Sequence, residues 1–381
     1  MHADDVLDRG AGSIRIVVGE RLVAGLGRVR ADGGDGKKTV AGEDVADYVE
    51  GFSAAALQGA GVGGAFGPAD VDAKVLRARL KDLAPGGQIF YRVHTRPEGG
   101  GPGIYGEVRQ FTLPDARAAE TRIAFWNDTH DNQEILKSLH ALTGKESTDL
   151  LVWNGDASNN IDREDQIVPI YLTPGKGLDI ARTLPMVFVR GNHDERGRMA
   201  VRLGHYSAMR RSYCSFRIGP VAAIVLDTGE DKPDNHSTFQ GRPAFEPLLR
   251  KEAEWLAEEV RKPGIVDAPY RVVICHMPLR WRDEGPQDYA QTGYDRFCVR
   301  GRGVWHETLV RWKAQVVISG HTHESLFMPG NAAFPYAQII GGGPQSNSAR
   351  LLRLNADGQG LKIRTLELSG KVLREEAFSP V

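Results

Sequence analysis

The chain has 381 residues, 41% hydrophobic and 25% charged, which allows a packed core in one large domain or two ordinary ones without help from disulfides. A formal net charge of -1 argues against a general nucleic-acid binder held by a basic surface, and no apolar run approaches the roughly 20 residues needed to span a bilayer. The start, Met1-His2-Ala3-Asp4-Asp5, lacks the basic region and apolar stretch of a signal peptide, so the compartment stays open, an extracytoplasmic one included. Cys214, Cys275 and Cys298 are an odd set without close pairing. Cys275 follows Val272-Val273-Ile274 and reads as a small buried hydrophobe.

Up to about residue 120 the texture is β-rich and irregular. Residues 14–18 and 22–24 read as short strands, and Gly33-Gly34-Asp35-Gly36 as a turn. Residues 40–68, rich in Ala and Gly, give no clear pattern. Pattern returns at residues 75–80, then at Leu83-Ala84-Pro85-Gly86-Gly87-Gln88 leading into Ile89-Phe90-Tyr91-Arg92-Val93, and at residues 106–114. This closing pattern resembles the last strands of a fibronectin type III-like sandwich over about 40 residues. Ile89 stands where a corner tyrosine is usual, so the hydroxyl tie to backbone would be missing. Residues 114–120 read as a linker, giving domains at 1–120 and 121–381.

From Thr121 onward, strand, loop and helix repeat. Residues 122–126 read as a strand ending in Asn127-Asp128-Thr129-His130, and residues 133–142 carry apolar positions at helical spacing. Residues 150–153 form a strand ending in Asn154-Gly155-Asp156, and residues 186–190 one ending in Gly191-Asn192-His193-Asp194. A strand over residues 221–226 and an amphipathic helix over about 246–261 follow. Residues 271–275 lead into His276, and residues 315–319 into Gly320-His321-Thr322-His323. Residues 336–340, 350–354 and 361–368 read as an antiparallel tail.

Five strand-like runs are thus followed at once by Asp, Asn or His, and five of the 11 histidines sit in these positions. In open α/β sheets the carboxyl ends of the strands are where ligands bind. Taken singly, His276 could be a structural histidine and Asp156 a turn residue; scattered groups would not sort themselves this way together. Carboxylate, carboxamide and imidazole without thiolate suit divalent transition metals. Seven such groups, Asp128, His130, Asp156, Asn192, His276, His321 and His323, are too many for one tetrahedral ion and about right for two ions sharing a carboxylate.

The order Asp-x-His, Gly-Asp, Gly-Asn-His-Asp, a lone His after a strand, then Gly-His-x-His resembles the calcineurin-like metallophosphoesterase superfamily over about residues 121–370. The resemblance implies an α/β fold, a two-sheet αββα sandwich here preceded by a small β-rich domain. It implies two divalent transition-metal ions (Mn, Fe, Zn or similar) and hydrolysis of a phosphate ester by a metal-bridging hydroxide. Asp128, His130, Asp156 and His323 would hold the first ion; Asp156 would bridge to the second, held with Asn192, His276 and His321. His193 would stabilise the phosphoryl group or protonate the leaving oxygen, oriented by Asp194; Asp194 could instead be a helix N-cap. The layout is similar to that of purple acid phosphatases, with two departures. Their first motif lacks the histidine present here as His130, and Asn159 stands where they carry a tyrosine ligand, so no ferric-tyrosinate centre is expected.

Among candidate substrate contacts, Arg196 and Arg280 are forks that fit phosphate oxygens, or simply solvated loop arginines. Trp281 could stack on an aromatic leaving group, and Asn159 is a weaker candidate. The expected partner is a small-molecule phosphate ester, with no sign of nucleic acid or membrane. Monoester, diester and pyrophosphate all remain open, as do the native metals, the oligomeric state and the role of the N-terminal domain. The rival readings are a protein-binding scaffold on the same fold with hydrolysis lost, which should show missing ligands, and an N-terminal module as the active partner-binder.

Overall fold

The structure, a computed structural model, describes residues 12–20, 85–97, 102, 104–178, 180, 182–206, 211–281 and 297–381. The chain divides into two compact units, Met1–Leu113 and Pro114–Val381. In the first unit β1 (Gly12–Glu20) pairs antiparallel with β2 (Gln88–Pro97), which also pairs with β3 (Ile104–Tyr105) and β4 (Arg109–Thr112). Ile89 is fully buried there. The second sheet that a fibronectin-like sandwich needs is not among the described residues, and the expectations for residues 22–24, 33–36, 40–68 and 75–80 lie outside them.

The second unit runs β5 (Thr121–Asn127), α1 (Gln133–Thr143), β6 (Leu150–Asn154), β7 (Met186–Val189), β8 (Cys214–Ile218), β9 (Val221–Leu226), α2 (Phe245–Glu259), β10 (Tyr270–Cys275) and α3 (Phe297–Arg311). It continues with β11 (Val316–Ser319), β12 (Ser325–Met328), β13 (Ala337–Gly341), β14 (Arg350–Ala356), β15 (Leu361–Glu367) and β16 (Val372–Phe378). Two six-stranded sheets result, ordered β16-β15-β14-β5-β6-β7 and β12-β13-β11-β10-β9-β8.

Burial explains why the central strands are apolar throughout. Along β9, Val221, Ala223 and Val225 enter the core between the sheets, while Ala222, Ile224 and Leu226 meet the helix layer. Along β10, Val272 and Ile274 face the opposing sheet, and Val273 and Cys275 face Leu256 and Trp305 of α2 and α3. A strand covered on both faces has no solvent side and so shows no polar alternation. On the outer face of the first sheet, the Trp126 indole N–H donates to Thr143 Oγ1 at 3.0 Å, and Arg353 donates to the carbonyls of Leu142 and Thr143 at the end of α1. The layers are therefore helix, sheet, sheet, helix.

The strands β5, β6 and β7 run parallel, as do β9, β10, β11 and β13. Their carboxyl ends carry every group expected to bind metal. Residues 114–120, expected to be a linker, are tied into the second unit: the Gly219 N–H donates to Asp115 O at 2.8 Å, and the adjoining Thr121 hydroxyl donates to Ile218 O at 2.5 Å. Elements that pattern alone did not show are β8, β12, β16 and α3. Edge strand β16 is largely exposed and carries Arg374-Glu375-Glu376, and α3 holds Gly301 and Gly303, which weaken a helical signal.

Candidate metal centre

Five of the seven expected ligands have a left-handed backbone: Asp128 (φ 45°), His130 (φ 45°), Asp156 (φ 50°), His321 (φ 72°) and His323 (φ 57°). For residues with a Cβ this region is strained, and such strain persists only where surrounding contacts fix it. Here the loops after β5 and β6 hold each other: His130 N–H donates to Asp156 O at 2.8 Å and Asp131 N–H to Ala157 O at 2.7 Å. The loops also cross between sheets, because the Asp128 carboxylate accepts from the His321 N–H at 2.8 Å. Gly155 (φ 81°) lies flat against the His276 ring and Gly320 against the Asp128 carboxylate, approaches that any Cβ would block.

The ligand atoms of Asp128, His130, Asp156 and His323 lie within 4.8 Å of one another, and so do those of Asp156, His276 and His321. Asn192 joins the second group, its Oδ1 3.0 Å from His321 Nδ1. Asp156 is common to both. Asp128 and Asp156 are buried, at 0% and 1% exposure.

The chemistry of the donors fits cations. His276 Nδ1–H donates to Asn154 O at 3.0 Å, which leaves Nε2 buried, without a well-directed hydrogen bond, 3.2 Å from Asp156 Oδ2. His130 Nδ1–H donates to Asn159 Oδ1 at 3.0 Å, so its bare Nε2 faces His323 Nε2 at 3.0 Å. Imidazole lone pairs and buried carboxylates converging on one volume are what a divalent ion satisfies.

Electrostatics agree. Burial opposes a charge on His276, yet Asp156 and Asp128 beside it push its pKa up to about 10, the two carboxylates drawing positive charge to this point. Burial also opposes charge on Asp156, but His276 and the neighbouring histidines hold its carboxyl below the ordinary range. Burial lifts Asp128 well above that range, against the pull of His276. Burial, with His276 nearby, takes His321 down to about 3, and burial takes His130 down to about 4.

The remaining expected residues are less uniform. The His193 ring lies 4.8 Å from that of His130; its Nδ1–H donates to Asn159 O at 2.9 Å, and its Nε2 accepts from Arg196 Nη1 at 3.0 Å. Asn159 therefore braces both His130 and His193. The Asp194 carboxylate makes no hydrogen bond to the His193 ring, and the residue is no N-cap, since it lies inside the turn His193–Glu195. Its buried carboxylate instead accepts from the N–H groups of Ala157, Ser158 and Gly191 and from the Tyr171 hydroxyl at 2.5 Å, binding the β6 and β7 loops together. Burial, with Asp156 nearby, raises its pKa to about 6.

Arg196 is gripped by Glu230 (Nε–Oε1 2.6 Å, Nη2–Oε2 3.0 Å) and by Asp231, so only Nη1 reaches His193. Arg280 is 7% exposed, donates to the carbonyls of Pro329 and Tyr336, and stacks on Phe334. The ring centre of Trp281 lies 6.2 Å from that of Phe297, which in turn lies 4.5 Å from that of His321, the two rings steeply inclined. Tyr171, Glu230 and Phe297 were not singled out from sequence. They reach the site through space from segments without strand-end motifs, and no local pattern marks them.

A family model described as calcineurin-like phosphoesterase matches residues 121–325. Among solved structures, the chain is similar to purple acid phosphatase PPD1 from yellow lupin (Lupinus luteus) seeds, with 14% identity over 97% of this chain and 70% of that one and a TM-score of 0.63. It is also similar to GAP50, the anchor in the inner membrane complex of Plasmodium (13% identity, 69% of this chain and 90% of that one, TM-score 0.49). A dimetal phosphatase from Danio rerio gives 11% identity, 68% and 99% coverage and a TM-score of 0.48. At such identities the likeness to the lupin protein is one of fold. No curated protein matches the chain by sequence.

Proposed function

We propose that this chain, which belongs to the calcineurin-like phosphoesterase family, hydrolyses phosphate esters of small molecules at a binuclear metal centre. The observation that carries the reading is Asp156, a buried carboxylate common to two groups of converging ligands. One ion would be held by Asp128, His130, Asp156 and His323, the other by Asp156, Asn192, His276 and His321. Two divalent transition-metal ions bound there would polarise the phosphoryl group and make the attacking water acidic.

The chain's own groups have distinct tasks. Asn159 and the Asn154 carbonyl fix the ring orientation of His130 and His276 through their Nδ1–H groups, which leaves each Nε2 aimed inward. His193, held by Asn159 O, would act through Nε2, which once protonated could donate to the phosphoryl oxygens or to the leaving oxygen. Nε2 accepts from Arg196, so a proton to hand on requires that hydrogen bond to be exchanged for substrate. Electrostatic support from the Arg196 charge needs no such exchange. Because Glu230 occupies the Arg196 fork, Arg196 acts mainly on His193 and not as a bidentate phosphate clamp.

The scaffold reading is disfavoured because every ligand position is filled. The reading is tested by stripping the protein of metal, reloading it separately with Mn, Fe, Zn and Co, and assaying 4-nitrophenyl phosphate, bis(4-nitrophenyl) phosphate and a nucleoside diphosphate. Metal-dependent turnover of at least one substrate class is expected, and the class identifies the bond. Absence of turnover on all three with metal bound would favour the scaffold.

A further inference from the structure

Asn154 ends β6 in a run that is otherwise apolar, Leu150-Leu151-Val152-Trp153, and is fully buried. Its side-chain Nδ2 lies 3.1 Å from Asn127 Oδ1, its register partner on β5. The same Nδ2 reaches across to the other sheet, 3.3 Å from Cys275 O at the end of β10 and 3.4 Å from Ile318 O in β11. Its main-chain carbonyl accepts from His276 Nδ1 at 3.0 Å. One residue thus makes three links from the first sheet to the second, directly beneath the candidate centre.

Each of these residues stands one to three positions before an expected ligand. Asn127 precedes Asp128, Cys275 precedes His276, Ile318 stands three residues before His321, and Asn154 itself stands two before Asp156. Asp128, His130, Asp156 and Asn192 come from the first sheet; His276, His321 and His323 come from the second. Both ligand groups therefore need the two sheets in one fixed relation. The core between the sheets is apolar and non-directional, whereas hydrogen bonds to named carbonyls fix position.

Three oxygens around the amide dictate that the –NH2 faces them, which leaves Asn154 Oδ1 and Asn127 Nδ2 buried without partners. An apolar residue at this position would avoid that penalty and suit the strand better. We propose that Asn154 is a positioning residue that sets the spacing between the two halves of the metal centre. This rests on the binuclear reading above.

The test uses the full chain, stripped and titrated with Mn2+, followed by electron paramagnetic resonance of free ion and of the spin-coupled pair. Val152→Ala, a core truncation in the same strand with no link to a ligand, supplies the structural control. Wild type is expected to bind two Mn2+ with a coupled signal. Asn154→Leu should lose roughly ten- to a hundred-fold in Mn2+ affinity and lose or alter the coupling, the range typical of residues that orient ligands, while Val152→Ala keeps both. Asn154→Ser, which keeps a shorter donor, should fall between, and carries the comparison if the leucine variant does not fold. Wild-type affinity and coupling in the Asn154 variants would overturn the proposal, as would an equal loss in Val152→Ala. Wild type that binds no Mn2+ would overturn the binuclear reading itself, and this proposal with it.

Discussion

Gly155 and Gly264 offer a matched pair of substitutions. Both have a left-handed backbone, φ 81° and φ 84°, but a Cβ at Gly155 would run into Nδ1, Cγ and Cβ of His276, whereas at Gly264 nothing lies within 4 Å. The backbone contribution, about 1–2 kcal/mol for an L-residue in this region, is common to both. At Gly155 the fully buried His276 ring must also shift, adding about 1–3 kcal/mol of overpacking. That shift stretches the hydrogen bond to Asn154 O, worth about 0.5–1.5 kcal/mol net. Gly155→Ala should therefore cost about 2.5–6.5 kcal/mol and Gly264→Ala about 1–2 kcal/mol. Urea unfolding of the metal-free variants measures the difference, and Mn2+ binding should weaken only in Gly155→Ala. Equal destabilisation of the two would mean that the Gly155 loop does not press on His276, and the account of how that ligand is seated would fail.

His193→Ala should leave metal content unchanged. A general acid is typically worth roughly a hundred- to ten-thousand-fold, so as the acid its loss should slow alkyl esters far more than nitrophenyl esters; an equal loss on both points to electrostatic support, and loss of metal removes the assignment. Iron-loaded protein should lack a strong visible tyrosinate band, since Asn159 stands where a tyrosine ligand would be and the Tyr171 hydroxyl is committed to Asp194; an intense band would show a tyrosine reaching the metal. Glu252 is buried beside Asp227, and burial first, then that carboxylate, pushes its pKa up to about 10 from an ordinary 4.5. The folded state then holds a proton that the unfolded chain releases, so this contribution to stability is full below pH 4.5 and is lost as pH rises toward 10. Glu252→Gln, which mimics the protonated form, should raise stability at pH 8 relative to wild type; lower stability at that pH would refute the assignment.

The converging Asp, Asn and His groups were legible because each stands just after an apolar strand, and in both sheets the central strands run parallel with these groups at their carboxyl ends. The same rule could not see what approaches from elsewhere. Arg280 follows His276 by four residues and looked available to phosphate, but the carbonyls of Pro329 and Tyr336 flank β12 and β13 and hold it. Arg196 reaches His193 through Nη1, yet Glu230, 34 residues on, takes its fork. Asp194 was placed beside His193 by sequence adjacency, whereas a tight turn aims its carboxylate at the N–H groups of two loops and at Tyr171. Asn154 was visible only as part of an Asn-Gly-Asp turn, because its cross-sheet bonds depend on tertiary packing. Edge strand β16 escaped notice for a simpler reason: with little of it buried, no alternation is imposed on its sequence.

The central claim is one shared carboxylate serving two ions. It is tested most directly by metal content per chain in wild type and in Asp156→Ala, measured by elemental analysis after reloading, with phosphate-ester hydrolysis followed before and after chelation. About two transition-metal ions per wild-type chain are expected, with most of both lost in the variant and activity abolished by chelation and restored by metal. Undiminished hydrolysis by metal-free protein, or an Asp156→Ala chain that keeps both ions, would contradict it.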